Sequence, residues 1–294
     1  MNGLGTVINA LAIVVAGGVG SMFRGKLRPS YQKIMVEACG LVALVWGFMG
    51  LWDGLFATEG ESVVQTKGML LVAFALLAGT LFGAALGLEK GLDRIGGAIK
   101  RTVQNSERKE AERRALAAKN NPSKVAVQEE DAAPAKRRAL HDLPTYDLPS
   151  PRSGDLLVDG FVISTLLVSV GMMLVKGAYA DATGGGMTPI YVKTAVDFVL
   201  ILLLATVFGV SVSFSAISLL IFQGGFTVLA MVTDTFLTPD LMSQVGFVGS
   251  VMTVLVGFNL CFGKRIRVGN MLPALGVPLL YTWIVAIAEK MTEK

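Results

Sequence analysis

FVLILLLATVFGVSVSFSAISLLIFQGGFTVLAMVT, residues 198–233, is a charge-free run too long for one membrane crossing. A bilayer core about 30 Å thick is crossed by about 20 apolar helical residues. The run therefore holds two crossings and the reversal between them. Gly209-Val-Ser-Val-Ser213 is the place for that reversal, because small and hydroxyl residues can satisfy the backbone groups a tight turn frees. Outward from this stretch, residues 1–23, 68–88, 241–263 and 268–288 are also free of charge. Charged residues make up 16% of the 294 and hydrophobic ones 53%, with a mean hydropathy of +0.61. A soluble domain carries charge on about 25% of its positions. The composition is that of an integral membrane protein.

Eight crossings fit, at about 3–23, 34–56, 68–88, 157–178, 189–208, 213–233, 241–262 and 269–288. The expected fold is an all-α, polytopic transmembrane helix bundle. It divides into an N-terminal membrane half (1–95, three spans), a charged linker (96–155) and a C-terminal membrane half (156–294, five spans). Met1–Phe23 lacks the basic start of a cleaved signal peptide, so it reads as a retained span. Cys39 and Cys261 lie in apolar runs and the single histidine, His141, in the linker, which leaves no metal-ligand spacing. No nucleophile–base set, phosphate loop or HExxH helix is present, and Gly3-x-Gly5 lacks the strand and third glycine of a dinucleotide fingerprint. Neither enzyme activity nor a cofactor is expected.

A net charge of +4 and a pI near 9.1 could suggest nucleic acid. The basic residues flank spans, however, which is an orientation signal rather than a binding stripe. Arg24, Lys26, Arg28 and Lys33, then the linker, then Lys264, Arg265 and Arg267 fall on one side of an eight-span chain. Asp53, Glu59, Glu61, Asp181, Asp234 and Asp240 fall on the other. The positive-inside rule then puts the linker in the cytoplasm and both termini outside. The linker opens with Leu92, Ile95, Ile99 and Val103 at helical spacing among Lys90, Arg94, Lys100 and Arg101, as in an amphipathic helix at the membrane surface. A solvated continuation of the third span is the plainer alternative. From Asn105 to Asp155, Lys, Glu, Ala and Pro dominate, and a disordered or loosely helical segment is expected. Its Lys136-Arg137-Arg138 could meet anionic lipid, or simply water.

Gly17-Gly18 precedes Pro29, with Gly47 further on; Gly224-Gly225 precedes Pro239, with Gly257 further on. With the orientation above, these copies run in opposite directions, as an inverted repeat of spans 1–3 and 6–8 would. Coincidence in a glycine-rich chain is the competing account. Gly79, Gly83, Gly87 and Gly91 share one helix face, where another helix backbone can come close. That contact is expected within the chain first, and in a homo-oligomer second.

Polar side chains inside spans are costly, about 2.5–3.5 kcal/mol for a central acid. Asp197 lies about 13 Å into the fifth span at 1.5 Å per residue, and Gln223 reaches a similar depth from the other side. With Ser215 in the same hairpin, they could bind a cation or a small polar solute. Asp197 held only by Lys193, one turn away, is the structural alternative. Asn9, Asn259 and Asn270 are further candidate binding residues, although intramembrane asparagines often only tie helices together. Pro273 and Pro278 mark the eighth span as irregular.

Three groups of residues carry a resemblance to a known family. They are Gly5-Thr-Val-Ile-Asn9 leading to Gly17-Gly18-x-Gly20; Thr188–Asp197 followed by Phe214-Ser215-Ala216 and Phe222-Gln223-Gly224; and Ile266-Arg-Val-Gly-Asn-Met-Leu-Pro-Ala274. The chain resembles the bacterial inner-membrane family catalogued as domain of unknown function 554, over 1–95 and 155–290. The long linker at 96–154 looks like an insertion, and Gly224-Gly225 departs from the family's single glycine after the glutamine. The resemblance implies a multi-pass bacterial protein and no substrate. The function expected from the residues is secondary transport of an ion or small solute, with a membrane scaffold or regulator working through the linker as the alternative.

Overall fold

A computed structural model of the chain describes residues 3–55, 66–120, 155–184, 188–232, 238–263 and 265–292. Glu59, Glu61, Asp234, Lys264 and linker residues 121–154, with His141 and Lys136–Arg138 among them, lie outside these. In chain order the helices are α1 (Leu4–Ser21), α2 (Pro29–Leu55), α3 (Thr66–Leu86), α4 (Leu88–Asn120), α5 (Leu156–Ser169), α6 (Met172–Thr183), α7 (Thr188–Phe208), α8 (Ser215–Val232), α9 (Pro239–Phe262) and α10 (Val277–Thr292). Two 3-10 stretches, Val210–Phe214 and Val268–Gly276, precede α8 and α10. The described residues contain no strand.

Seven of the helical segments are long and apolar enough to cross a bilayer, and an eighth crossing results when the bent pair α5–α6 counts as one. Exposure is inverted relative to a soluble protein. Leu41, Phe48, Leu77, Leu81 and Ile221 are 59–72% exposed, while Asn9, Ser215 and Gln223 are completely buried. Lipid tolerates the first group, and the second must be satisfied inside because the hydrocarbon offers no hydrogen bonds. The protein is a multi-pass helical membrane protein.

Three features refine the sequence pattern. The expected fourth span is not a continuous helix: α5 and α6 meet at 61°. Val170 is extended and Gly171 takes φ 110°, which stops the helix without a proline. The backbone of Gly171 then lies directly against Gly249 of α9, where a Cβ would come within 2.7 Å of it. Second, the charged segment is helical as far as Asn120, well beyond Asn105. Ala, Glu, Lys and Arg favour helix, and Arg108 pairs with Glu112 one turn on. Third, α4 is not a continuation of α3, because Gly87 at φ 63° separates them. Leu92, Ile99 and Val103 turn inward, while Ile95 is exposed.

Glycines set the close contacts. The expected reversal at Gly209 is present, with φ 81° and the Arg24 side chain packed over it. On α1, Gly20 faces the Leu202 carbonyl and Gly17 faces Ser213. The antiparallel pair α2–α9 is reciprocal: Gly47 meets the backbone at Ser250 and Val254, and Gly257 meets it at Gly40 and Leu44. Gly79 and Gly83 of α3 lie on the backbone of Ala274 and Asn270 in the second 3-10 stretch, so this part of the glycine face packs within the chain. Gly91 has open space around it.

A Cβ on Gly83 would overlap the Asn270 carbonyl, whereas one on Gly18 would meet nothing within 4 Å. Gly83→Val should therefore cost at least about 1–3 kcal/mol by overpacking, and Gly18→Ala should stay within about 0.5 kcal/mol. Thermal melts of the purified variants in detergent check the contrast.

Candidate functional site

Asp197 occupies the middle of α7, and α1 and α5 converge on it and its neighbour Lys193. Lys193, one turn earlier on the same face, places its ammonium in close contact with Asp197 Oδ2. Both side chains are almost fully buried, at 5% and 7% exposure. Asn9 of α1 donates from Nδ2 to the same Oδ2 at 3.0 Å. The Lys193 ammonium also donates to the carbonyl oxygen of Val168 at 3.1 Å. That carbonyl is available because α5 ends at Ser169: the last four carbonyls of a helix have no partner within it. The break in the fourth span thus supplies one wall of the site.

The polar contacts continue across α1 to α8. Asn9 Nδ2 also approaches Gln223 Oε1 at 3.4 Å. Gln223 Nε2 donates to Thr6 Oγ1 at 3.2 Å, and Thr6 Oγ1 lies 3.2 Å from Thr227 Oγ1. Thr6 donates in turn to Asp181 Oδ2 at 2.7 Å. Asp181 of α6 accepts from the backbone N–H groups of Gly5 and Thr6, each at 2.8 Å. It thereby caps α1, whose own N-cap Gly3 has no side chain to do so. A continuous buried row of hydrogen bonds runs from Asp181 to Val168. Charged and neutral partners satisfy each other along it, which keeps the several-kcal/mol cost of each buried ion bearable.

Beside the ion pair lies a cavity of ≈ 20 Å³ lined by Lys193, Asp197, Trp46, Met173 and Thr253. A water molecule needs about 10–15 Å³ on this measure, so the space has room for one water or a bare ion. A second cavity of ≈ 40 Å³ shares the walls Trp46, Met173 and Thr253 and reaches Asp53. Asp53 is half exposed and pairs with Lys176 at 2.7 Å.

Of the six residues singled out by sequence, the structure brings Asp197, Gln223 and Asn9 together. The other three stand elsewhere. Ser215 donates to the Val212 carbonyl within the turn before α8. Asn259 closes the turn after α9, donating to Ile266 O at 2.7 Å and accepting from the Arg265 and Ile266 N–H groups. Asn270 accepts from Glu89 N–H at 3.1 Å and so caps α4. Their partners are backbone at helix ends, not a ligand-sized space. Residues the sequence did not offer as site members are Lys193, Thr6, Asp181 and the Val168 carbonyl. Thr6 and Asn9 sit three apart on one face of an otherwise apolar helix, a signal that was available. Asp181 had none, since it reads as an ordinary loop acid.

The sequence matches the family described as "Protein of unknown function (DUF554)" over residues 4–128 and 133–283. It is 20% identical over 281 residues to the "Uncharacterized membrane protein YdfK" of Bacillus subtilis, covering 96% of each chain. It is 22% identical over 282 residues to the "Uncharacterized protein YqgA" of Escherichia coli, covering 95% of this chain and 97% of the relative. No solved structure matches. The matched ranges run through nearly all of residues 96–154. With both membrane halves and most of the linker matched, the chain belongs to the DUF554 family of membrane proteins.

Proposed function

We propose that the protein is a secondary transporter of the bacterial inner membrane that moves a small ion through the site at Lys193 and Asp197. One observation carries this reading: a carboxylate and an ammonium are buried together at mid-span, against a broken helix and beside a water-sized cavity. Ionisable groups at that depth are costly, and transporters place them on ion pathways. Discontinuous helices whose freed carbonyls face the midplane serve the same chemistry. The cavity volume favours an ion over a larger solute.

The packing also supports an inverted repeat. Any antiparallel helix pair has a local two-fold axis. In α2–α9 the equivalent positions, Gly47 and Gly257, are both glycine and contact each other's helix reciprocally. With the linker cytoplasmic and both termini outside, the cavity near Asp53 and Lys176 faces the outer side. A two-fold related movement of the halves would then open the site inward.

In proteoliposomes, wild-type protein should speed exchange of radiolabelled sodium or rubidium above protein-free vesicles. Asp197→Asn should reduce exchange to the protein-free level in vesicles holding equal amounts of protein; equal exchange by both would refute the role of Asp197. Deleting residues 105–150 distinguishes the alternative of a linker-driven regulator. Exchange in purified vesicles should survive the deletion, and its loss would favour the regulator.

A further inference from the structure

We propose that Lys193 is a tethered cation, exchanged for a transported monovalent cation with release of one proton. This rests on the transport reading above and names its substrate class. The ammonium sits on two oxygens, Asp197 Oδ2 and the Val168 carbonyl at 3.1 Å, while Asn9 donates from Nδ2 to the same carboxylate oxygen and approaches Gln223 Oε1 with it. A carboxylate with neutral carbonyl oxygens is the donor set hard cations take. Asn9 Oδ1 is a further oxygen of that kind, completely buried and without a hydrogen-bond partner among the described residues.

Charge decides the valence and the coupling. Ammonium plus carboxylate sums to zero. When one Nζ–H bond breaks, its proton passes to a water in the adjoining cavity and the nitrogen keeps the electron pair. A monovalent cation taking the vacated place on Asp197 restores the sum to zero, and a divalent one would leave a buried positive charge. Reprotonation of the amine on the other side of the membrane displaces the cation. One proton moves for each cation, in the opposite direction, with no net charge transferred.

Asp197 is the one described charged group in contact with the ammonium. Against α7, α1 brings the neutral Thr6 and Asn9, behind which Gln223 of α8 bonds to both, and α5 brings the Val168 carbonyl. From α2 comes the Cys39 thiol, which donates to Leu200 O. From α6 comes Asp181, held on the N-terminus of α1, while Lys176 is held on Asp53.

The test uses full-length protein in vesicles containing a pH-reporting dye, with sodium, potassium or lithium added outside. Cation entry should acidify the outside and alkalinise the lumen, one proton per cation, at a rate unchanged when the membrane potential is clamped. Cation flux without proton flux, or flux driven by the potential, overturns the proposal and leaves transport standing. Absence of any cation exchange overturns both. Lys193→Arg keeps a positive charge that cannot be released, so cation and proton fluxes should both fall to the protein-free level. Lys193→His should keep exchange but move its pH profile towards acid. Undiminished flux in Lys193→Arg, or an unmoved profile in an active Lys193→His, makes Lys193 a structural partner only.

Discussion

A hydrocarbon interior supplies no hydrogen-bond partners, so every polar group carried into it must find one within the protein. Asp197 is where that demand is greatest. Its answer draws Lys193 from its own helix, Asn9 from α1 and, through Lys193, the Val168 carbonyl from the broken fourth span. Meeting one carboxylate thus fixes how α1, α5 and α7 are oriented about their axes. The glycine contacts of α1 with Leu202 and Ser213 then permit the approach that the hydrogen bonds require. Polar satisfaction and small-residue packing are two aspects of one arrangement here, because lipid contributes no hydrophobic drive between helices.

Much of this was legible from the chain. Charge-free runs located the crossings, since composition alone decides what a bilayer accepts. Asp197 and Gln223 stood out because a polar side chain at mid-depth has few ways to exist. Asn9, Asn259 and Asn270 looked alike in the sequence, yet only the first joins the buried row. Depth along a span says nothing of which backbone groups a neighbouring turn leaves open, and Asn259 and Asn270 answer such local needs.

The break at Val170–Gly171 was not legible. It lies inside an apolar run without proline, and what allows it is a contact with Gly249, far away in sequence. Asp181 was hidden for the same reason: an acid near the end of α6 gains its role from the bare N-terminus of α1, 175 residues earlier. The helical course of residues 105–120 shows the opposite case, in which local preference for helix outweighs low hydrophobicity.

Asn270 carries two connections at once. Its side chain accepts from the start of α4, and its backbone lies beneath Gly83 of α3. The long charged helix leaving the membrane is therefore geared to the irregular beginning of the last span. Torque applied to α4 at its far end would reach the seam between the two halves through this residue and, beside it, through Leu92 on Gly269, Gly96 on Val158 and the Lys100–Asp155 pair.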